Sequence, residues 1–380
     1  MKMEPTYHIP QLPLKHDLET KSVLKQLSKA NRQLAELKGI AYTIPNEQIL
    51  ISTLTLQEAK ESSEVENIVT TQDDLYQASA NVKGKVPNPA TKEVLNYREA
   101  IQHGYNLVKK KGLLTNAMIK EIQQRLENND AGFRTVPGTK LKRDDDVVVY
   151  MPPQDSVQIL KLMGNLERFI NDDELCELDP LIKMAIIHHQ FESIHPFYDG
   201  NGRTGRIVNI LYLVLKGLLD LPILYLSRYI THNKGEYYRL IQEIRDSDGN
   251  SVGCWERWVI FMLKGVEEVA IETIGIVKSI SQMMTEYKKI LRPLFGKQYK
   301  HELLNNLFFH PYTKIDFLMN DIQVQRKTAA KYLDMIVEQG LLSKVKIGKE
   351  NYYINDGLME LFLNPKVVND STSRIKTVKE

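Results

Sequence analysis

His195-Pro196-Phe197-Tyr198-Asp199-Gly200-Asn201-Gly202-Arg203-Thr204-Gly205-Arg206 is the run on which the reading of this chain turns. It brings together an imidazole that can accept a proton, a hard oxygen ligand, flexible glycines and two arginines. Those are the needs of a bound triphosphate: a base, a place for Mg²⁺, main-chain amides for phosphate oxygens, and positive charge. Downstream, Ile207, Ile210, Leu211, Val214, Leu215 and Leu218 recur at helical spacing, which predicts a helix over Arg203–Leu218 with one buried stripe. Arg203 and Arg206 then fall on one face of its first turn, where the helix dipole disfavours cations. Two arginines make sense there if an anion sits between them and the helix start. Gly200-Asn201-Gly202 would let the backbone approach that anion closely.

The bulk composition is that of an ordinary globular protein. The 380 residues suffice for two or three domains, and 50 basic against 48 acidic residues leave a net charge of +2. No whole-chain field therefore points to nucleic acid or membrane. Cys176 and Cys254 supply no disulfide framework and lack the neighbours of a zinc site. The start, Met1 to Pro5, carries no apolar segment behind a basic residue, and the longest apolar stretch, 207–219, is too short to span a bilayer. A cytoplasmic location and no membrane partner are expected.

Helical patterns dominate: Leu18–Leu37, Asn46–Lys60, Thr91–Lys110, Asn116–Leu126, Gln154–Asn171, Pro180–Ile194, Lys234–Arg245 and Trp255–Phe295. Gly84, Pro87 and Pro89 mark a break. Phe133–Pro153 has a β-prone run at Val147–Tyr150, a turn at Val136–Gly138 and charges from Lys140 through Arg143, Asp144, Asp145 and Asp146, so a hairpin is expected. Near the end, Glu302–Phe309, Thr313–Met319 and Gln325–Gln339 read as short helices, followed by strands at Gly340–Leu342 and Tyr352–Ile354 joined through Gly348.

The run 195–206 matches HxFx(D/E)GNGRxxR at every specified position and so resembles the Fic (Fido) family, whose best-known members are protein adenylyltransferases. The resemblance implies a mainly α fold: a Fic helical core with a β-hairpin flap, plus a small C-terminal winged-helix (α+β) domain. The expected organisation is an N-terminal helical region 1–95, a core 96–268, a connecting helix 269–299, the winged-helix-like domain 300–365 and a polar tail 366–380. It also implies ATP as substrate with Mg²⁺, and AMP transfer to a Ser, Thr or Tyr hydroxyl of a target protein or of the chain itself. His195 would be the catalytic base and Asp199 the metal ligand. Gly200, Asn201, Gly202, Arg203, Thr204, Gly205 and Arg206 would bind nucleotide, Arg203 at the phosphate next to the transferred one and Arg206 at the terminal one. Tyr237, Tyr238 and Asn233 stand where the family places contacts to adenosine. The related Doc kinases lack the intact Gly-Asn-Gly-Arg stretch, which favours AMP transfer over phosphate transfer.

Ser62, Glu66 and Asn67 fit the family's self-inhibitory motif (S/T)xxxE(G/N), with Ser62 and Glu66 on one helical face. The resemblance implies that Glu66 pairs with Arg206 and takes the terminal phosphate's place. The alternative for this acidic stretch is a solvated face carrying Glu58, Glu61 and Glu64. In some relatives the same glutamate helps water remove AMP, so a de-AMPylating hydrolase stays open. The 133–153 hairpin resembles the flap on which an extended target segment docks. A metal cluster of His188, His189, His195 and Asp199 is disfavoured because neighbouring histidines diverge on a helix. The winged-helix module leaves two further partners open, a second copy of the chain and DNA. A small local basic excess does not favour DNA, and a nucleotide-sensing DNA-binding regulator is the rival from another class.

Overall fold

The computed structural model describes residues 7–80, 86–142, 146–347 and 350–363. Met1–Pro5, Gly84, the hairpin charges Arg143, Asp144 and Asp145, Gly348 and the tail 366–380 lie outside them. In chain order the elements are α1 (Lys21–Ala41), α2 (Glu47–Val65), α3 (Gln72–Ser79), α4 (Pro89–Lys111), α5 (Asn116–Glu127), β1 (Leu141–Lys142), β2 (Val148–Tyr150), α6 (Ser156–Asn171), α7 (Pro180–Ile194), α8 (Asn201–Leu215), α9 (Leu226–His232), α10 (Lys234–Asp246), α11 (Val252–Phe295), α12 (His301–Phe309), β3 (Tyr312–Lys314), α13 (Ile315–Ile322), α14 (Arg326–Glu338), β4 (Ser343–Ile347), β5 (Glu350–Ile354) and α15 (Asp356–Leu363). The long helices fall where apolar periodicity places them.

Compactness divides the chain differently from its sequence order. Among the described residues, one unit falls within 1–38, 58–68 and 96–270, and the other within 39–57, 69–95 and 271–380. The expected N-terminal region 1–95 is thus shared between the two, and the expected connecting helix is the distal part of the unbroken α11.

In the first unit α7 and α8 form the centre. Every α7 residue from Leu181 to Ile194 is buried, polar ones included. The helix opens on an Asp179 carboxylate that accepts from the Leu181 amide, with Pro180 in its first turn. The expected single stripe on α8 is corrected: Asn201 and Arg203 through Val214 are all buried. The reason is its central position. Gly104 of α4 meets Leu211 so closely that a Cβ there would come within 2.5 Å of its Cδ1. On the opposite flank a Cβ at Gly205 would approach Phe191 of α7 to 3.1 Å. The helix also ends at Leu215, short of the expected Leu218, because Gly217 adopts a positive φ of 67°.

The hairpin expected over 133–153 is present, with pairing confined to β1 and β2 and Leu141 opposite Tyr150. In the second unit β5 lies between β3 and β4 in an antiparallel sheet, after a helix–strand–helix–helix order that suits a winged helix. The strand expected at Gly340–Leu342 begins instead at Ser343, since Gly340 takes a positive φ of 70° just past α14. Within this unit the ring of Tyr76 on α3 stacks on Tyr312 of β3 with centroids 6.2 Å apart. Among the described residues no helix is long and apolar enough to cross a membrane.

Candidate active site

His195 follows the last residue of α7 with φ 48° and ψ 59°, a left-handed conformation that ends the helix and turns the chain towards the glycine loop. Its amide still donates to Phe191 O at 2.9 Å. Burial, then the nearby Arg245 and Arg134 guanidiniums, push the imidazole down to about 3. It is therefore neutral at physiological pH and has a lone pair to accept a proton.

The loop from Phe197 to Gly200 is closed by Asn201, whose side-chain oxygen accepts from Phe197 N at 2.8 Å while its nitrogen donates to Phe197 O at 2.9 Å. That side chain, expected at the nucleotide, is instead engaged in holding the loop. Phe197 is fully buried beneath it. Gly200 caps α8 in a left-handed conformation, φ 73°, and offers no side chain to the first-turn amides. Such a helix start is open to an external anion. Asp199 is exposed, and its carboxylate accepts from Gly200 N at 2.7 Å.

Both arginines are buried, and each meets a carboxylate from a distant segment: Glu66 just past the end of α2, and Glu127 of α5. Arg206 Nη2 lies 2.9 Å from Glu66 Oε1, and the same guanidinium donates to Ser62 Oγ at 2.8 Å and Ser62 O at 3.0 Å. Arg203 Nη2 lies 2.9 Å from Glu127 Oε1, at the end of α5. A Cβ at Gly200 would collide with the Glu127 carboxylate, and one at Gly202 with that of Glu66. The acids thus flank the helix start from two sides. Burial raises the Glu66 pKa, but Arg206 outweighs it and the carboxyl is held below its usual range. A depressed carboxylate pKa means that the pair is intact above the unfolded value and is lost only as pH falls through the lower folded one. Asn67 follows with a positive φ of 62° and accepts from Lys234 Nζ at 3.0 Å.

Other expected residues lie elsewhere. Thr204 is fully buried, and Gly205 faces Phe191, Glu192 and His188 of α7, so it serves helix packing rather than a ligand. Tyr237 is a correction: its ring is buried and its hydroxyl bonds His188 Nε2 at 2.8 Å, so it has no face open to a base. Tyr238 is exposed, and Asn233 donates to Tyr229 O at 2.9 Å between α9 and α10. His188 and His189 are core residues packed on Trp258 and Trp255, and among the described residues no group of three metal-ligating side chains gathers.

Several groups escaped the sequence. Glu58, one face of the supposedly solvated stretch, is fully buried: it accepts from Tyr97 Oη at 3.1 Å, from Ser227 N at 3.3 Å and from Ser227 Oγ. Burial pushes its carboxyl up to about 7. A raised carboxylate pKa adds stability fully below the unfolded value near 4.5 and loses it as pH rises through 7. Glu192, one turn before His195, is likewise pushed up to about 7 by burial. Replacing Glu58 by alanine strands two hydroxyls and should cost about 2–4 kcal/mol. Glu58→Gln should cost less than half of that. Urea unfolding checks this, and equal costs for the two variants would contradict a hydrogen-bonding role. Only a tertiary contact reveals Glu127, because nothing in its local sequence marks it.

Residues 24–106 match the Fic/DOC family N-terminal domain, 113–213 the Fic/DOC family itself, and 283–358 the C-terminal domain of SoFic-like protein adenylyltransferases. A probable protein adenylyltransferase of Aquifex aeolicus is 29% identical over 184 residues, covering 47% of this chain and 53% of the relative. A protein adenylyltransferase of Caenorhabditis briggsae is 26% identical over 165 residues, 43% of this chain and 29% of that one. The chain thus spans about half or less of the curated relatives' lengths. The fold is similar to that of a Fic family protein from Desulfovibrio desulfuricans, with a TM-score of 0.57 at 19% identity over 91% of this chain and 98% of the other. The three matches follow one another along the helical N-terminal segment, the core bearing the 195–206 loop and the C-terminal module, and the chain belongs to the Fic/DOC family.

Proposed function

We propose that this protein transfers AMP from ATP to a hydroxyl of a protein, and that Glu66 restrains it. The observation that carries the reading is the pair of buried arginines at an uncapped helix start, beside a neutral histidine, each arginine held by a carboxylate where a phosphate group would be bound. In the transfer, the acceptor oxygen attacks the α-phosphorus while its proton passes to His195. The bond from the α-phosphorus to the bridging oxygen breaks, and pyrophosphate leaves. Arg203 and Arg206 would hold the β- and γ-phosphates, and the first-turn amides of α8 would add their dipoles.

Asp199 suits Mg²⁺ in donor chemistry. It is an exposed oxygen ligand at the loop, and among the described residues no cluster of other ligands gathers, so phosphate oxygens and water would complete the shell. When bound, the ion would neutralise charge on the departing pyrophosphate. Tyr238 and Asn233 are assigned to the adenosine side. The 133–153 hairpin is assigned to an extended segment of the target, paired by main-chain hydrogen bonds. DNA is not proposed: Arg326 of α14 is paired with Asp316, and Lys344 of β4 with Asp334.

Incubation with ATP labelled at the α- or the γ-phosphate tests the reaction. Covalent label from the α-phosphate alone supports AMP transfer. Label from the γ-phosphate, or none from either in a Glu66→Gly variant, would overturn it. A second expectation concerns Glu127. Its side chain is 11% exposed against 5% for Arg203, so the contact is well shielded from solvent. Glu127→Gln keeps the shape and drops the charge, and should tighten Mg²⁺·ATP binding about 3- to 10-fold by calorimetry. Unchanged affinity would mean that Glu127 does not compete with phosphate.

A further inference from the structure

The last carbonyls of an α-helix have no partner within it and must find one elsewhere. At the end of α7, next to the catalytic loop, each is taken by a side chain from a distant segment. Glu192 O accepts from Arg245 Nη2 at 3.1 Å, and Ser193 O from Tyr150 Oη at 2.8 Å. Ile194 O accepts from Arg134 Nη2 at 3.3 Å, and His195 O from Arg134 Nε at 2.7 Å. The Arg134 amide continues the series by donating to Pro196 O at 2.8 Å. Arg134 and Tyr150 are the two roots of the hairpin: one precedes β1, the other ends β2.

The reverse contacts are present as well. Tyr198, in the catalytic loop, accepts from the amides of Thr135 at 2.9 Å and Val136 at 3.1 Å. The rings of Phe133 and Phe197 lie 5.1 Å apart. The hairpin root and the loop are therefore closed on each other by main-chain and side-chain bonds in both directions.

His195 sits in a left-handed conformation that a non-glycine residue holds only where its surroundings impose it. The carbonyl and the Cβ share one Cα, so whatever fixes the His195 carbonyl also fixes the Cα–Cβ bond from which the imidazole projects. We propose that Arg134 is a positioning residue for His195, which fixes the imidazole through the two carbonyls at the end of α7 and couples it to the root of the 133–153 hairpin. Occupation of the hairpin by a target segment and alignment of the base would then be one linked equilibrium. Arg134 is not built for stability alone. It is 1% exposed, yet its Nη1 has no hydrogen-bond partner among the described residues, a costly arrangement for a purely structural arginine.

The inference rests on the proposed transfer for its rate readout, and a second readout is independent of it. Burial lowers the imidazole's pKa most; of the charges that act on it, Arg245 and Arg134 push it down further and Glu66 pushes it up. In Arg134→Met the His195 resonances, followed by NMR through a pH titration, should shift and the imidazole should titrate at a higher pH. Arg134→Lys keeps the charge but replaces the two nitrogens of the rigid fork with a single one on a flexible stem. It should preserve the titration while displacing the resonances. In the Glu66→Gly background, both variants should lower kcat about 10- to 100-fold, with the KM for ATP within about twofold. Tyr150→Phe removes one hydroxyl and leaves the ring on Arg245. It should lower kcat about 3- to 10-fold, and it serves if the Arg134 variants fail to fold. Unchanged His195 resonances in the variants, or losses confined to thermal stability with kcat intact, overturn the proposal. Absence of any transfer in the parent Glu66→Gly protein would instead overturn the proposed activity and leave the NMR result to decide this one.

Discussion

In a chain released by Glu66→Gly, replacing His195 by alanine is expected to slow AMP transfer by about 10²- to 10⁴-fold, the usual worth of a positioned general base. Nucleotide affinity should hold within about twofold, because the phosphate contacts come from α8 and the imidazole ends α7. The same residue sets the pH dependence. Its pKa is depressed to about 3, so the basic form is already complete well below neutrality. An ordinary histidine would lose activity as pH falls through about 6.5. Here the rate attributable to His195 should stay flat from pH 8 to pH 5. A single-turnover labelling series checks this, and a fall centred near 6.5 would contradict the depressed pKa of the base.

Removal of the Glu66 carboxylate is the second large effect. In the structure that carboxylate and the Ser62 hydroxyl and carbonyl occupy three donor contacts of Arg206. A terminal phosphate on the same guanidinium has to displace the carboxylate and is repelled by it meanwhile. A charge-assisted bond of this kind is worth about 1.5–3 kcal/mol. Glu66→Gly should therefore raise automodification about 10- to 100-fold, measured with α-labelled ATP. It should also lower the melting temperature, since Arg206 loses its buried counter-charge. Glu66 is itself about a third exposed, which keeps that loss below the cost of breaking a fully buried pair. Equal labelling of variant and parent would remove the restraint from the account.

Much of this site is legible in the sequence, because its local chemistry is contiguous. The loop 195–206 carries its base, glycines and arginines in one stretch, and apolar periodicity places the helices on either side of it. The spacing of Ser62 and Glu66 predicts one shared face, and the structure brings Ser62 near the end of α2 and Glu66 in the turn after it to Arg206. What the sequence conceals depends on contacts between distant segments. Glu58 lies among acids that read as solvated, and only the Tyr97 and Ser227 hydroxyls show why it is buried. Tyr237 and Tyr238 are adjacent and alike in sequence, yet helix rotation sends one into the core and leaves the other in solvent. Arg134 looks like one more loop charge until the carbonyls at the end of α7 are counted.

Calorimetric titration of Mg²⁺·ATP into four proteins tests the central claim most directly: the parent, Glu66→Gly, Arg206→Ala and the double variant. The account predicts that Glu66→Gly binds at least about tenfold more tightly than the parent and that Arg206→Ala abolishes this gain, a coupling of about 1.4 kcal/mol or more. The same affinity in the parent and Glu66→Gly, or an undiminished gain without Arg206, would contradict it.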